Sequence, residues 1–309
     1  MHTLHMSILQ PIATGVPAPG AAAFTDLAAV QAWDAWFRWR EGDDLHDTSI
    51  DATWRRVANA LGSVESTQQS AWAHRFHECF STWSLLPDER VIAHAGTGRI
   101  EWNHALASAI NLAVLVRNPI SDNAQFDFHH FGEIATLSVR ALDNAVLIAE
   151  RHGTDPLSLS IGLIGLADAL ALLDIPYASH AALGFAARIG ECLKTATSKA
   201  STELTAERGA LASARNRYQK LTGLQSHPRL SLLANNVSDA IAPLPAPFLP
   251  VRVDAHSRPV VTNGYAMEYA HRAGHVAQIG EMRAKASGSP ATTRALQNAL
   301  APYFDVVRL

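Results

Sequence analysis

Cysteine is scarce in this 309-residue chain: there are two, Cys79 and Cys192. They form no CxxC pair and no metal-ligand spacing, so neither a thiolate metal site nor a disulfide framework is expected. A reduced, cytoplasmic setting follows. Charge is scarce as well. Asp, Glu, Lys and Arg make up 17% of the residues, and 25 basic against 28 acidic side chains leave a net −3. That balance gives no electrostatic footprint for nucleic acid or for a polybasic membrane contact. So few charges leave little surface to keep wet, which favours a large core or an interface covered by a protein partner or a second copy. No run of about 18 apolar residues is free of polar breaks, so no membrane span is predicted. The N-terminus lacks the basic and apolar regions of a signal peptide.

Helical pattern is plentiful. Residues 1–24 are rich in Pro, Gly and Ala without periodicity and read as a flexible arm. Helices are predicted in "TDLAAVQAWDAWFRWR", in "SIDATWRRVANALGSVE" behind a Ser49 cap, and in "QQSAWAHRFHECFSTWSLL" up to Pro87. After the Gly-rich turn "AHAGTGR", "IEWNHALASAINLAVLVRN" reads as another helix, stopped by Pro119. A long amphipathic helix, "FDFHHFGEIATLSVRALDNAVLIAERHG", ends at Gly153. The apolar run "SLSIGLIGLADALALLDIPYAS" (158–179) reads as a buried packing helix. A further long helix is framed by Ser179 and Gly209, and two more close the chain. Only "FLPVRV" and "RPVVT", in a Pro-rich linker, are weak strand candidates. The chain divides into an arm (1–24), an N-terminal helical segment (25–99), a central helical region (100–243) and a linker with C-terminal helices (244–309). The fold class is mainly α.

Several motifs stand in register over about seventy residues: "LDN" (142–144), "IGLIGLAD" (161–168), "IPYAS" (175–179) and "STELTAERG" (201–209). In this order they resemble the C-terminal helical region of ribonucleotide reductase large subunits, and most of all the vitamin-B12-dependent class. The likeness extends to "TWRRVANALGSVE", to "LLPDERVIAHAGTGR", to "INLAVLV" (110–116), to "LSLLANNVSDAIAP" (230–243) and to "SPATTRALQNALAPYFD" (289–305). The resemblance implies the packing helices of a radical enzyme, with adenosylcobalamin as cofactor.

The departures are as informative. In that family several hundred residues, including most of a ten-stranded barrel and its finger loop, separate the segments matched by Arg99 and Ile110. The family's cysteine before "INLA" is missing, with Ala107 near its place. Its phosphate-cradling Pro-Thr-Gly-Thr loop reads "QSHPRLS" (225–231), and the chain stops at Leu309, ahead of the final barrel strands. The family's chemistry needs a thiyl radical on one cysteine and a reducing pair of two more. Two cysteines in helices do not supply it. A shortened homologue with its barrel largely deleted is therefore expected.

Fifteen histidines are the remaining surplus. Glu101–His104 and Glu268–His271 each place a carboxylate and an imidazole three residues apart on a helix face. His275 continues the second face. His130 and Glu133, with His129, add donors, as do His74, His77 and Glu78. Paired Glu-x-x-His motifs are the ligand pattern of di-iron and di-manganese bundles. Solvated surface pairs are the plainer account. "WDAWFRWR" (33–40) puts Trp33, Trp36 and Arg40 on one side, as core packing or as a partner hot spot. Three function classes follow: a non-reducing, partner-dependent subunit or regulator; a repurposed enzyme with a Glu/His iron or manganese site or a retained small-molecule pocket; and a reductase active only within a complex.

Overall fold

The computed structural model describes residues 23–100, 102, 105–151, 159–210, 217–218, 220–244, 252–253, 259–260 and 264–309. In chain order the elements begin with α1 (Leu27–Trp36), the hairpin β1 (Arg40–Glu41) and β2 (Asp44–Leu45), α2 (Ile50–Gly62) and α3 (Gln69–Ser81). Next come β3 (Leu85–Leu86), α4 (Glu89–His94), β4 (Leu106–Asn111), β5 (Val116–Arg117), β6 (Gln125–Phe126) and α5 (Phe128–Arg151). The middle holds β7 (Leu159–Ile164), α6 (Leu166–Leu172), α7 (His180–Arg208), β8 (Gly223–Gln225) and α8 (Pro228–Leu233). The chain closes with β9 (Arg252–Val253), β10 (Pro259–Val260), α9 (Tyr265–Arg272), α10 (Ile279–Ala286), α11 (Pro290–Leu300) and β11 (Val306–Arg308). The protein is mainly helical, with small open sheets.

The helix ends are written in the sequence. Asp26 caps α1 by accepting from Ala28 N at 2.8 Å, and Ser49 caps α2. Ser179 caps α7, and Gly209 ends it in a left-handed conformation. Ser289 and Thr292 form a reciprocal capping box on α11. Each such cap stabilises its helix by about 1 kcal/mol.

Two expected helices are strands. "LASAIN" is β4, and the first half of the apolar run is β7, paired with β4 in parallel from Leu106–Leu159 to Asn111–Ile164. The reason is burial on both faces. A strand covered on both sides reads as a continuous apolar run, which periodicity cannot separate from a helix. Gly165 then turns the chain from β7 into α6 at φ 78°, and a side chain there would meet Asn111 Oδ1 at 2.8 Å. Of the weak strand candidates, two-residue pieces do pair, β9 with β10. Gly153 lies outside the described residues.

Five of the strands assemble into one open strip. β3 pairs antiparallel with β4, β4 parallel with β7, and β8 parallel with β11. A bridge between Ile161 and Thr222 joins β7 to β8. The order is β3–β4–β7–β8–β11, and it does not close. α5 and α7 pack along each other, and α5 covers one face of the strip, where Ser108 of β4 bonds Ser138 of α5 at 2.7 Å.

Candidate functional site

The motif residues that carry the family likeness knit helices together. Asp143 of "LDN" is fully buried and accepts from Arg208, from Arg217 Nε and from Tyr218 OH. Asn144 donates to Leu61 O at 2.9 Å and to Glu65 at 2.7 Å. Glu65 also receives Arg140 and Arg208, at 2.6 and 2.7 Å. Burial alone would raise the Glu65 carboxyl; hydrogen bonds from Arg140, Asn144 and Arg208 outweigh it and hold it below the usual range. Glu207 of "ERG" pairs Arg140 from the surface. In "GLAD", Asp168 accepts the N–H groups of Ser238 at 2.6 Å and Ala266 at 2.8 Å. In "IPYAS", Tyr177 donates to Ile241 O at 2.5 Å. These contacts leave no acid, base or nucleophile of the motifs free.

The face of the strip opposite α5 is different. Ala107, Ala109, Ser160 and Gly162 share it by alternation. His227, just before α8, lies over them. A Cβ on Gly162 would sit 2.6 Å from its Nε2, so only glycine leaves room for the ring. His227 is 5% exposed, and its Nε2 has no partner among the described residues; neither does Ser160 Oγ, which lies against Gly223. Burial lowers the His227 pKa, against the pull of Asp239 and Asp88, so the ring is held neutral. Asp239 accepts the His227 N–H at 2.6 Å, and Asp88 accepts Ala107 N at 2.8 Å. Neither cysteine is on this face. Cys79 sits on α3 with its thiol pushed up to about 11 by burial. Cys192 sits on α7 and is raised by burial and Glu191.

The expected Glu/His donors do not come together. Glu101 and His104 lie outside the described residues. His130 and Glu133 are exposed neighbours on α5, 3.3 Å apart, with His129 3.7 Å from Glu133. His77 bonds Asp51 at 2.8 Å. Glu268 faces a cavity while His271 is exposed on the same helix, and His275 follows the helix end. Among the described residues no three His, Cys, Asp or Glu side chains are grouped to hold a metal. Trp33 is core, donating to Thr53 Oγ1 at 2.9 Å, and Trp36 is half-buried under Arg229. "AHAGTGR" is a turn with Gly96 and Gly98 in left-handed conformations.

The cavity beside Glu268 measures about 380 Å³. One face of α9, with Tyr265, Glu268, Tyr269 and Arg272, forms one wall. Trp83, Val114, Val116, Pro119 and Leu172 supply an apolar lining opposite. The volume lies in the range of small-molecule sites. Neither His227 nor this cavity was named from the sequence: a lone His before a proline and a Tyr pair on a short helix carry no motif.

Comparison with known proteins bears on the strip directly. Residues 105–229 match the family model described as "Ribonucleotide reductase, barrel domain". The chain resembles the ribonucleotide reductase large subunit at the family level. The vitamin B12-dependent ribonucleoside-diphosphate reductases of two Mycobacterium tuberculosis strains (CDC 1551 / Oshkosh and ATCC 25618 / H37Rv) are 29% identical over 113 residues. That stretch is 37% of this chain but only 14% and 13% of those relatives. The class Id ribonucleotide reductase alpha subunit of Actinobacillus ureae is similar at TM-score 0.47 and 16% identity, over 64% of this chain and 42% of that one. The matched residues 105–229 hold β4, β5, β6, α5, β7, α6, α7 and β8. They include a piece of sheet, where the motifs alone suggested helices only.

Proposed function

We propose that this chain is a ribonucleotide-reductase-like protein that does not reduce ribonucleotides by itself and works as a subunit or regulator with a protein partner. One observation carries the reading: the sheet face within the reductase-like segment bears Ala107, Ala109, Ser160 and Gly162 and no thiol. The two cysteines lie on α3 and α7, and burial keeps both protonated at neutral pH. A radical enzyme of the kind it resembles needs three cysteines. Adenosylcobalamin, named for the Mycobacterium relatives' class, would start a radical that the residues on this face have no sulfur to accept. The residues present do not fit that cofactor's use.

A partner is supported by the low charge content, 17% of the residues, which favours an interface covered by protein. The purified chain, given adenosylcobalamin, a dithiol and ribonucleotides, is expected to form no deoxynucleotide. Deoxynucleotide above the no-enzyme control would sink the reading. Mass photometry of the chain from its native cell should show a stable complex heavier than the 33.3 kDa chain.

A further inference from the structure

The cavity under α9 concentrates two independent signs of a ligand site. The first is backbone strain. Non-glycine residues with positive φ are uncommon, and for bulky or β-branched ones they are outliers. Eight such residues occur among the described residues, and five belong to segments that build this cavity. Trp83 (φ 61°) and Asn235 (φ 58°) line it, Asn118 (48°) and Ile120 (60°) flank the lining Pro119, and Asn236 (60°) follows Asn235. Asn tolerates this conformation, so the strain sits at Trp83 and Ile120, where it persists because surrounding structure holds it. Here aromatic packing holds Trp83: Phe24 lies at 5.4 Å and Trp54 at 5.6 Å between ring centroids.

The second sign is charge. Glu268 is half-buried on the cavity wall, and among the described residues its carboxylate has no ion-pair or hydrogen-bond partner. Arg272, one turn on, has a partner of its own. Around Glu268 the wall is aromatic: Tyr265 and Tyr269 on the same helix face and Trp83 across the space. A carboxylate beside aromatic rings in an apolar pocket attracts an ammonium group, through its charge and through the negative faces of the rings. Val114, Val116, Pro119 and Leu172 give an apolar side for the body of such a ligand, beside the polar Thr25, Ser81, Thr82 and Asn235.

We propose that this cavity binds a small organic amine, with its ammonium group at Glu268 and its apolar or aromatic body between α9 and the Trp83 loop. The site is independent of whether the chain acts through a partner. It is tested on the full chain with 2-phenylethylamine and, as its anionic counterpart, 3-phenylpropionate. Isothermal titration and quenching of tryptophan emission should both show saturable binding of the amine and weaker or no binding of the acid. Glu268→Gln keeps the shape and removes the charge, and should weaken the amine about tenfold or more. Trp83→Phe should weaken both probes while circular dichroism confirms the fold. Equal binding of amine and acid, full affinity in Glu268→Gln, or no saturable binding of the amine would each overturn the proposal.

Discussion

The helical layer around Asp143 and the bare face of the β4–β7 strip lie in the same reductase-like segment but are built on opposite terms. In the helical layer every charge is answered. Asp143, Asn144 and Glu65 meet Arg140, Arg208, Arg217 and Tyr218 in one continuous network. On the face opposite α5 three buried polar atoms, Ser160 Oγ, His227 Nε2 and Asn111 Nδ2, meet nothing among the described residues. The difference teaches what the motif likeness measures. "LDN" and "ERG" mark how helices are bolted together, and such bolts hold whether or not chemistry is carried beside them. Likeness in the bolts argues for the fold, and function has to be argued from the face that lacks thiols.

The sharpest way to break that contrast is to unbolt the helices. Asp143→Ala leaves Arg208, Arg217 and the Tyr218 hydroxyl without their shared acceptor in a buried place. Removing one partner of a buried ion pair costs about 3–5 kcal/mol. Urea unfolding should show that loss, while Glu207→Ala, which removes an exposed partner of Arg140 and Arg208, should cost below about 1 kcal/mol. Similar small losses from both would mean the network is not what holds the layers.

A smaller effect sharpens the other side. Gly162→Ala forces a Cβ to within 2.6 Å of His227 Nε2. Overpacking of this kind costs about 1–3 kcal/mol. His227→Ala removes the nearest obstacle and leaves Gly223 O at 3.0 Å from the same Cβ, so the double variant should recover part of the loss, with a coupling of about 0.5–3 kcal/mol in a double-mutant cycle. Additive losses would show that the imidazole is not seated over Gly162.

Much of the helical layer was legible from residues alone. Ser49 and Ser179 announced helix starts through local hydrogen bonds, and local bonds are what a sequence window contains. β4 and β7 were misread because "LASAIN" and "LSIGLI" are covered on both sides, and double coverage erases the two-residue alternation. The sheet face was legible only as a missing cysteine near Ala107. His227 and the α9 cavity were not legible. Each depends on which distant segments meet, and the left-handed Trp83 has no sequence signal because it is held by Phe24 and Trp54. The Glu-x-x-His spacing was visible, but spacing within one helix does not say which side faces inward. Glu268 turns into the cavity and His271 does not.

The weakest effects probe the bare face without disturbing its packing. His227 is held neutral by burial, so its folded pKa lies below the ordinary 6.5. The unfolded chain therefore binds more protons below pH 6.5, and the stability conferred by the neutral ring is present above that pH and lost as pH falls through it. Midpoints of thermal unfolding between pH 8 and 5 should decline in the wild type, and the slope should flatten in His227→Phe. Glu65, held low, contributes a separate loss that sets in around its ordinary 4.5, below the span of this measurement. Ser160→Ala should change least. Its hydroxyl is buried without a partner among the described residues, so removing it deletes a desolvated group and breaks no bond. A shift within about 0.5 kcal/mol, or a slight gain, is expected. A loss well beyond that would mean the hydroxyl has an acceptor on this face, and the face would then be as fully bonded as the helices around Asp143.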